Sequence, residues 1–146
     1  VPPANDSAHG VYYAADELGG CVIEVFGDTG VIETANYGVA EVLLPRDIVL
    51  LDLNAGGAWD AGSSSALTKD ADRSYTQRWA RYFYAESITY GLIDGLRYEN
   101  AHNDAQAYVL FERSGTLDLE RDRALADPGL ETELFRVADR LHLIFA

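Results

Sequence analysis

The sequence predicts an α+β fold, a single domain of mixed and antiparallel sheet with a few helices, and three observations carry that prediction. Short runs rich in β-branched and aromatic residues are numerous, at 11–14, 39–44, 48–53, 96–98, 107–111, 116–120, 134–137 and 141–145. Helical periodicity is confined to a stretch beginning at Ala15 and another beginning at Ser74. The two kinds do not alternate regularly, as the units of a doubly wound parallel sheet would. A chain of 146 residues has one domain's length. At that size it buries roughly two-thirds of its unfolded surface without a staple.

Taken in order, residues 1–10 (VPPANDSAHG) have two prolines and no apolar rhythm and read as a loop, with His9 a loop histidine. Residues 11–14 form a short strand. From Ala15 onward Leu18, Cys21, Val22 and Val25 follow helical spacing, although Gly19 and Gly20 each weaken a helix by about 1 kcal/mol relative to alanine. Cys21 and Val25 share a face, and Glu24, about 60° from Cys21 around the helix, borders the apolar stripe as either a solvated edge or a chemical tool. Residues 27–30, Gly-Asp-Thr-Gly, make a turn. The runs 39–44 and 48–53, divided by Pro45-Arg46-Asp47, read as a hairpin or a strand pair with a short corner. Leu44 precedes the proline and is pushed toward extended geometry.

The glycine- and serine-rich residues 54–65 read as a surface loop with Trp59 tucked inward; an exposed tryptophan there would be a recognition handle. Ser74 and Gln77 match a capping box, and Tyr75, Trp79, Tyr82, Phe83 and Glu86 follow at helical spacing with the aromatic face in the core. This helix continues or restarts through Ile88, Leu92 and Ile93 until Asp94-Gly95 breaks it. Strands at 96–98 and 107–111 flank a polar loop, 99–104. Residues 116–120 alternate as a half-buried strand does, with Leu117 and Leu119 inward. After a break at 126–129, residues 134–137 and 141–145 read as terminal strands with His142 outward.

The net charge of −13 argues against a broad nucleic-acid surface, which needs clustered lysine and arginine. Lys69 is the single lysine, so the positive charge is almost all arginine, suited to a small anionic ligand or to surface ion pairs. The acidity equally suits a basic partner protein. One cysteine makes no internal disulfide, no run reaches a membrane span, and no signal segment is visible, so a cytoplasmic protein with no membrane contact is expected. With no methionine in it, the chain reads as processed or as lacking an N-terminal piece. P-loop, dinucleotide-binding, H-E-x-x-H, C-x-x-C and nucleophile-elbow signatures are absent. Three scattered histidines and one cysteine leave no metal expected. Cys21, on an apolar helical face, reads as packing before it reads as a nucleophile.

What remains is Tyr12 and Tyr13, then Glu24, then Gly95-Leu96-Arg97-Tyr98-Glu99-Asn100. The run YYAADELGGCVIEVFG, followed by VAEVLLP, IVLLDL and DGLRYENAHNDAQAYVLFE, resembles the RES domain over most of the chain. That family is the toxin half of bacterial toxin–antitoxin pairs whose antitoxin is an Xre-like helix-turn-helix protein. An early arginine, a central glutamate and a later serine give it its name, and a tyrosine lies eleven residues before the glutamate, as Tyr13 does before Glu24. The serine is met in a pattern like DG-x-x-Y-x-S, whose place Asn100 takes here. Residues 1–10 hold no arginine, so the family arginine is expected upstream of Val1 or lost.

The resemblance implies an ADP-ribosyltransferase-like fold and NAD as substrate. The nicotinamide glycosidic bond would be hydrolysed or phosphorolysed, or ADP-ribose transferred to a protein. It implies catalytic roles for Glu24, stabilising an oxocarbenium-like ribose, and for Asn100, holding ribose or carboxamide. Tyr13 would stack on nicotinamide, with Tyr12 and Arg97 as further nucleotide-binding candidates. Each has a plainer role available: Tyr13 in the core, Glu24 as a surface charge, Asn100 as a turn residue. The implied partners are an Xre-like antitoxin and copies of the chain itself, in a homodimer or a larger complex. The competing expectations are a catalytically idle RES fold that binds a partner protein, or an unrelated small α+β domain for a basic protein.

Overall fold

The computed structural model describes residues 10–69 and 73–146, and the loop read over residues 1–9, with His9, lies outside them. The fold is α+β with mixed and antiparallel sheets, as the sequence predicts. Its main sheet is built from β1 (Val11–Ala15), β4 (Leu50–Asp52), β5 (Gly95–Glu99) and β6 (Gln106–Phe111), in the order β1-β6-β5-β4. Only the β4–β5 pair is parallel. Tyr13 and Leu96 both lie opposite Val109, and Tyr98 opposite Ala107, so these side chains share one face of the sheet. Tyr12, Arg97, Tyr108 and Asp52 fall on the other face by the same alternation.

The inner face is covered by α3 (Arg73–Ala85), whose Phe83 is fully buried among Leu53, Ala58, Leu96, Val109 and Phe111. Trp79 and Tyr75 pack against this cluster from the same helix, as its aromatic rhythm predicts. The capping box rests on the Ser74 side chain, which lies outside the described residues. A second core joins α1 (Leu18–Phe26) to α5 (Glu131–Leu141), through Val22 and Phe26 on one side and Leu134, Val137 and Ala138 on the other.

α5 corrects the reading of residues 134–137 and 141 onward as strands. Leu130, Leu134, Val137, Ala138 and Leu141 recur every three or four residues, which is one face of a helix. The helix ends at His142, which takes the left-handed conformation at φ 56°, and only β8 (Ile144–Phe145) remains as strand. β8 runs parallel to β2 (Val31–Ile32).

The proposed hairpin is likewise corrected. β3 (Gly38–Leu43) pairs antiparallel with β7 (Asp118–Ala124), while β4 joins the main sheet. The chain between them is diverted by Arg46, whose guanidinium grips the buried carboxylate of Asp94 in a fork at 2.7 and 3.1 Å. The Val49 amide donates to the same carboxylate at 2.8 Å. The helix expected to run as far as Asp94-Gly95 stops earlier: the short helix α4 (Ser87–Tyr90) ends at Gly91 with φ 75°, and Gly95 opens β5. Ile93 enters the core but Ile88 is 99 % exposed. Leu119, expected inward, is exposed because β7 belongs to a two-stranded ribbon with little packed on it. Trp59 sits on the short helix α2 (Gly57–Asp60) and is 70 % exposed instead of tucked in, since Ala58 is the residue that α2 buries.

The stripe on α1 is also rotated from its expected position. Val22, Ile23 and Phe26 are buried, whereas Val25 is exposed. Gly19 and Gly20 set that rotation by close approach: a Cβ on Gly20 would lie 2.7 Å from the Ala15 Cβ, and one on Gly19 would strike the Arg140 guanidinium.

Asp94 gives a stability prediction. The hydrogen bond from Arg46 holds its carboxyl below the ordinary carboxylate range, with the Val49 amide helping. A carboxylate depressed in the folded state contributes stability that is present above its unfolded value, about 3.9, and is lost as pH falls through the folded value. Thermal melts between pH 5 and pH 2 should therefore fall more steeply for the native chain than for Asp94→Asn, with the two curves converging at the acid end. Parallel curves would show that the Arg46–Asp94 fork carries no linked stability.

Candidate functional site

α1 and β5 between them place a carboxylate and a phenol in contact. Glu24, on the half-buried flank of α1, accepts a hydrogen bond from the Tyr98 hydroxyl at 3.0 Å. Tyr98 follows Leu96 by one strand repeat on β5 and so stands on the inner, core-lining face. Burial, then the charge and hydrogen bond of Glu24, then the nearby Tyr13 push the Tyr98 phenol far above the ordinary tyrosine range. It therefore stays a protonated donor throughout the working pH range.

Tyr13 shares that sheet face and is 58 % exposed, so its ring is open to a ligand. Among the described residues no ion pair engages Glu24. Its carboxylate is oriented by a neutral donor and leaves its charge free to act on something else. Cys21 lies one turn earlier and is half-buried; desolvation chiefly, opposed by an Ala15 backbone hydrogen bond and aided by Glu24, raises its thiol pKa. Burial thus favours the protonated thiol, which is a poor nucleophile.

A family model, that of the RES domain, matches residues 4–128. The chain belongs to the RES domain family. The RES match takes in the whole main sheet and α1, and with them Tyr13, Glu24 and Tyr98; it ends before α5. No curated protein and no solved structure matches the chain.

In this RES domain two of the other residues singled out from the sequence lie on the far side of the sheet from Tyr13 and Tyr98. Tyr12 and Arg97 project from the opposite face of the sheet. There Arg97 donates to Gln106 Oε1 at 2.7 Å and lies 3.5 Å from Asp52. Asn100 is fully buried, and its amide is engaged within its own turn. Its Oδ1 accepts from the His102 and Asn103 amides at 2.9 Å each, and its Nδ2 donates to Asn103 Oδ1 at 2.6 Å. That turn packs on the end of α1, where a Cβ on Gly27 would lie 2.7 Å from the His102 ring.

Tyr98 is the residue that sequence reasoning passed over, though it stands inside the quoted DGLRYEN run. Alternation with the buried Leu96 would have put it on the inner face; nothing local could say that its hydroxyl meets a helix 74 residues earlier. Among the described residues no His, Cys, Asp and Glu group is arranged to hold a metal, and no helix is long and apolar enough to cross a membrane. Shallow grooves among the described residues lie elsewhere. One is lined by Glu17, Arg136 and Arg140 between α1 and α5, another by Tyr12, Leu110 and Leu117.

Proposed function

We propose that this RES domain is a cytoplasmic toxin with an ADP-ribosyltransferase-like fold that consumes NAD, and that an Xre-like antitoxin neutralises it. The observation that carries the reading is the Glu24 carboxylate, held by the Tyr98 hydroxyl and engaged by no ion pair among the described residues, with the exposed Tyr13 ring on the same sheet face as Tyr98. Cleaving the nicotinamide–ribose bond sends the bonding electron pair to the ring nitrogen and leaves positive charge on the ribose. Nicotinamide departs neutral, so no proton donor is needed. A fixed carboxylate in a partly desolvated setting is the group that stabilises such a charge, and Glu24 supplies it. Tyr13 offers a stacking face for the pyridine ring. Water, phosphate or a protein nucleophile then adds to the ribose carbon and releases its proton to solvent.

The acidic chain, at net −13, suits a partner with a basic docking face. Incubating the protein with NAD and separating the products tests the reading: nicotinamide release is expected. The companion product, ADP-ribose, its phosphate ester or a modified protein, identifies the acceptor. No release would overturn it and favour the idle partner-binding module, which the burial of Asn100 in its turn already supports.

A further inference from the structure

We infer that Tyr98 is a positioning residue for Glu24, fixing the carboxylate through its hydroxyl. The inference rests on the NAD-consuming reading above. Three observations distinguish this role from packing. Phenylalanine would fill the same inner-face position of β5 beside Leu96, so packing alone does not call for an oxygen there. The hydroxyl is aimed out of the sheet at a different element, α1, and its 3.0 Å hydrogen bond ends on the carboxylate. It is buried against Glu24 with Tyr13 nearby, so it remains protonated and donates in one direction only.

The consequence is mechanical. A glutamate has three rotatable bonds, and an un-paired one on a helix flank samples many positions. Tethering one oxygen leaves the second with a fixed direction, which is what an electrostatic group must have before charge develops. Because the hydroxyl is bonded to Glu24 and not to the bound molecule, its loss should act on the chemical step more than on binding.

Tyr98→Phe keeps the ring and removes the oxygen. The expected result is a fall of about 10- to 100-fold in kcat for nicotinamide release, with KM for NAD within about twofold. Tyr108→Phe is the control, since it removes a tyrosine–carboxylate hydrogen bond, to Asp16 at 3.1 Å, from the opposite face and should leave activity within about twofold. In a Glu24→Asp background, where the shortened carboxylate is withdrawn from the hydroxyl, Tyr98→Phe should cost much less than in the native chain. An unchanged kcat, a rise in KM alone, or an equal loss in both backgrounds overturns the positioning role. If the doubly altered chain is too slow to measure, the kcat against KM split of Tyr98→Phe decides. Should Tyr98→Phe melt far below the native chain, the tyrosine serves the fold and the inference fails. A native chain that releases no nicotinamide overturns the underlying reading itself, a different outcome from a native chain that works and a Tyr98→Phe chain that works equally well.

Discussion

Replacing Glu24 with glutamine is expected to lower the rate of nicotinamide release by about 10²–10³-fold while leaving the melting temperature nearly unchanged. Glutamine has the shape of glutamate and keeps an oxygen that can accept the Tyr98 hydrogen bond at 3.0 Å, so the contact between α1 and β5 survives. What disappears is the negative charge, and with it the difference between ground state and charged transition state that the carboxylate supplies. KM for NAD should move little, because ground-state NAD already carries its positive charge on the pyridinium ring and the ribose becomes cationic only as the bond breaks. Measuring kcat and KM for both chains at pH 7, with thermal melts on the same preparations, checks this. A loss smaller than about threefold would remove Glu24 from the chemistry.

The parts of this site that were legible in the sequence are those that rest on local pattern. The strand at 11–14 and the helix containing Glu24 follow from composition and spacing, and it is the family resemblance that links Tyr13 with Glu24 eleven residues later. The structure sets Glu24 against the Tyr98 hydroxyl and leaves Tyr13 on the same face of the sheet as Tyr98, two strands away. Long-range pairing was not legible. The run at 39–44 looks like one arm of a hairpin because its neighbour is close in sequence; its partner is β7, some 80 residues away, and the Arg46–Asp94 fork that separates the two runs spans 48 residues. Helix α5 is masked in the sequence because its apolar residues fall into two short strand-like runs, although Leu134, Val137, Ala138 and Leu141 form one helical stripe. Tyr12 and Arg97, which the family resemblance offers as nucleotide-binding candidates, immediately precede Tyr13 and Tyr98, and the two-residue repeat of a strand sends them to the other face. Asn100 has the chemistry of a binding residue, but a buried amide must satisfy its own hydrogen bonds, and the backbone of residues 102–103 supplies them first.

Phe83→Ala is expected to be the most damaging single change to stability, at about 3–5 kcal/mol. The ring is 0 % exposed and lies where α3 meets the inner face of the main sheet, against Leu96, Val109 and Phe111. It is also the hub of an aromatic group, with ring centroids 5.4 Å from Trp79, 6.2 Å from Tyr82 and 5.2 Å from Tyr90, the last edge-on at 90°. Truncation removes the buried ring and leaves a hole that these large, interlocked neighbours cannot close without abandoning their own contacts, so the cavity term adds to the transfer term. For a domain of this size the loss corresponds to a fall in melting temperature of roughly 10–15 °C, and it should lower the denaturant midpoint with little change in slope. Ile88→Ala, five residues along the chain but 99 % exposed, provides the contrast and should stay within about 0.5 kcal/mol. Equal effects from the two substitutions would mean that α3 is not seated on the sheet. Because Leu96 and Tyr98 lie on the same face of β5, the surviving folded fraction of Phe83→Ala should also show a looser Tyr98. Its kcat for nicotinamide release, measured well below its melting point, should then fall toward that of Tyr98→Phe without passing it.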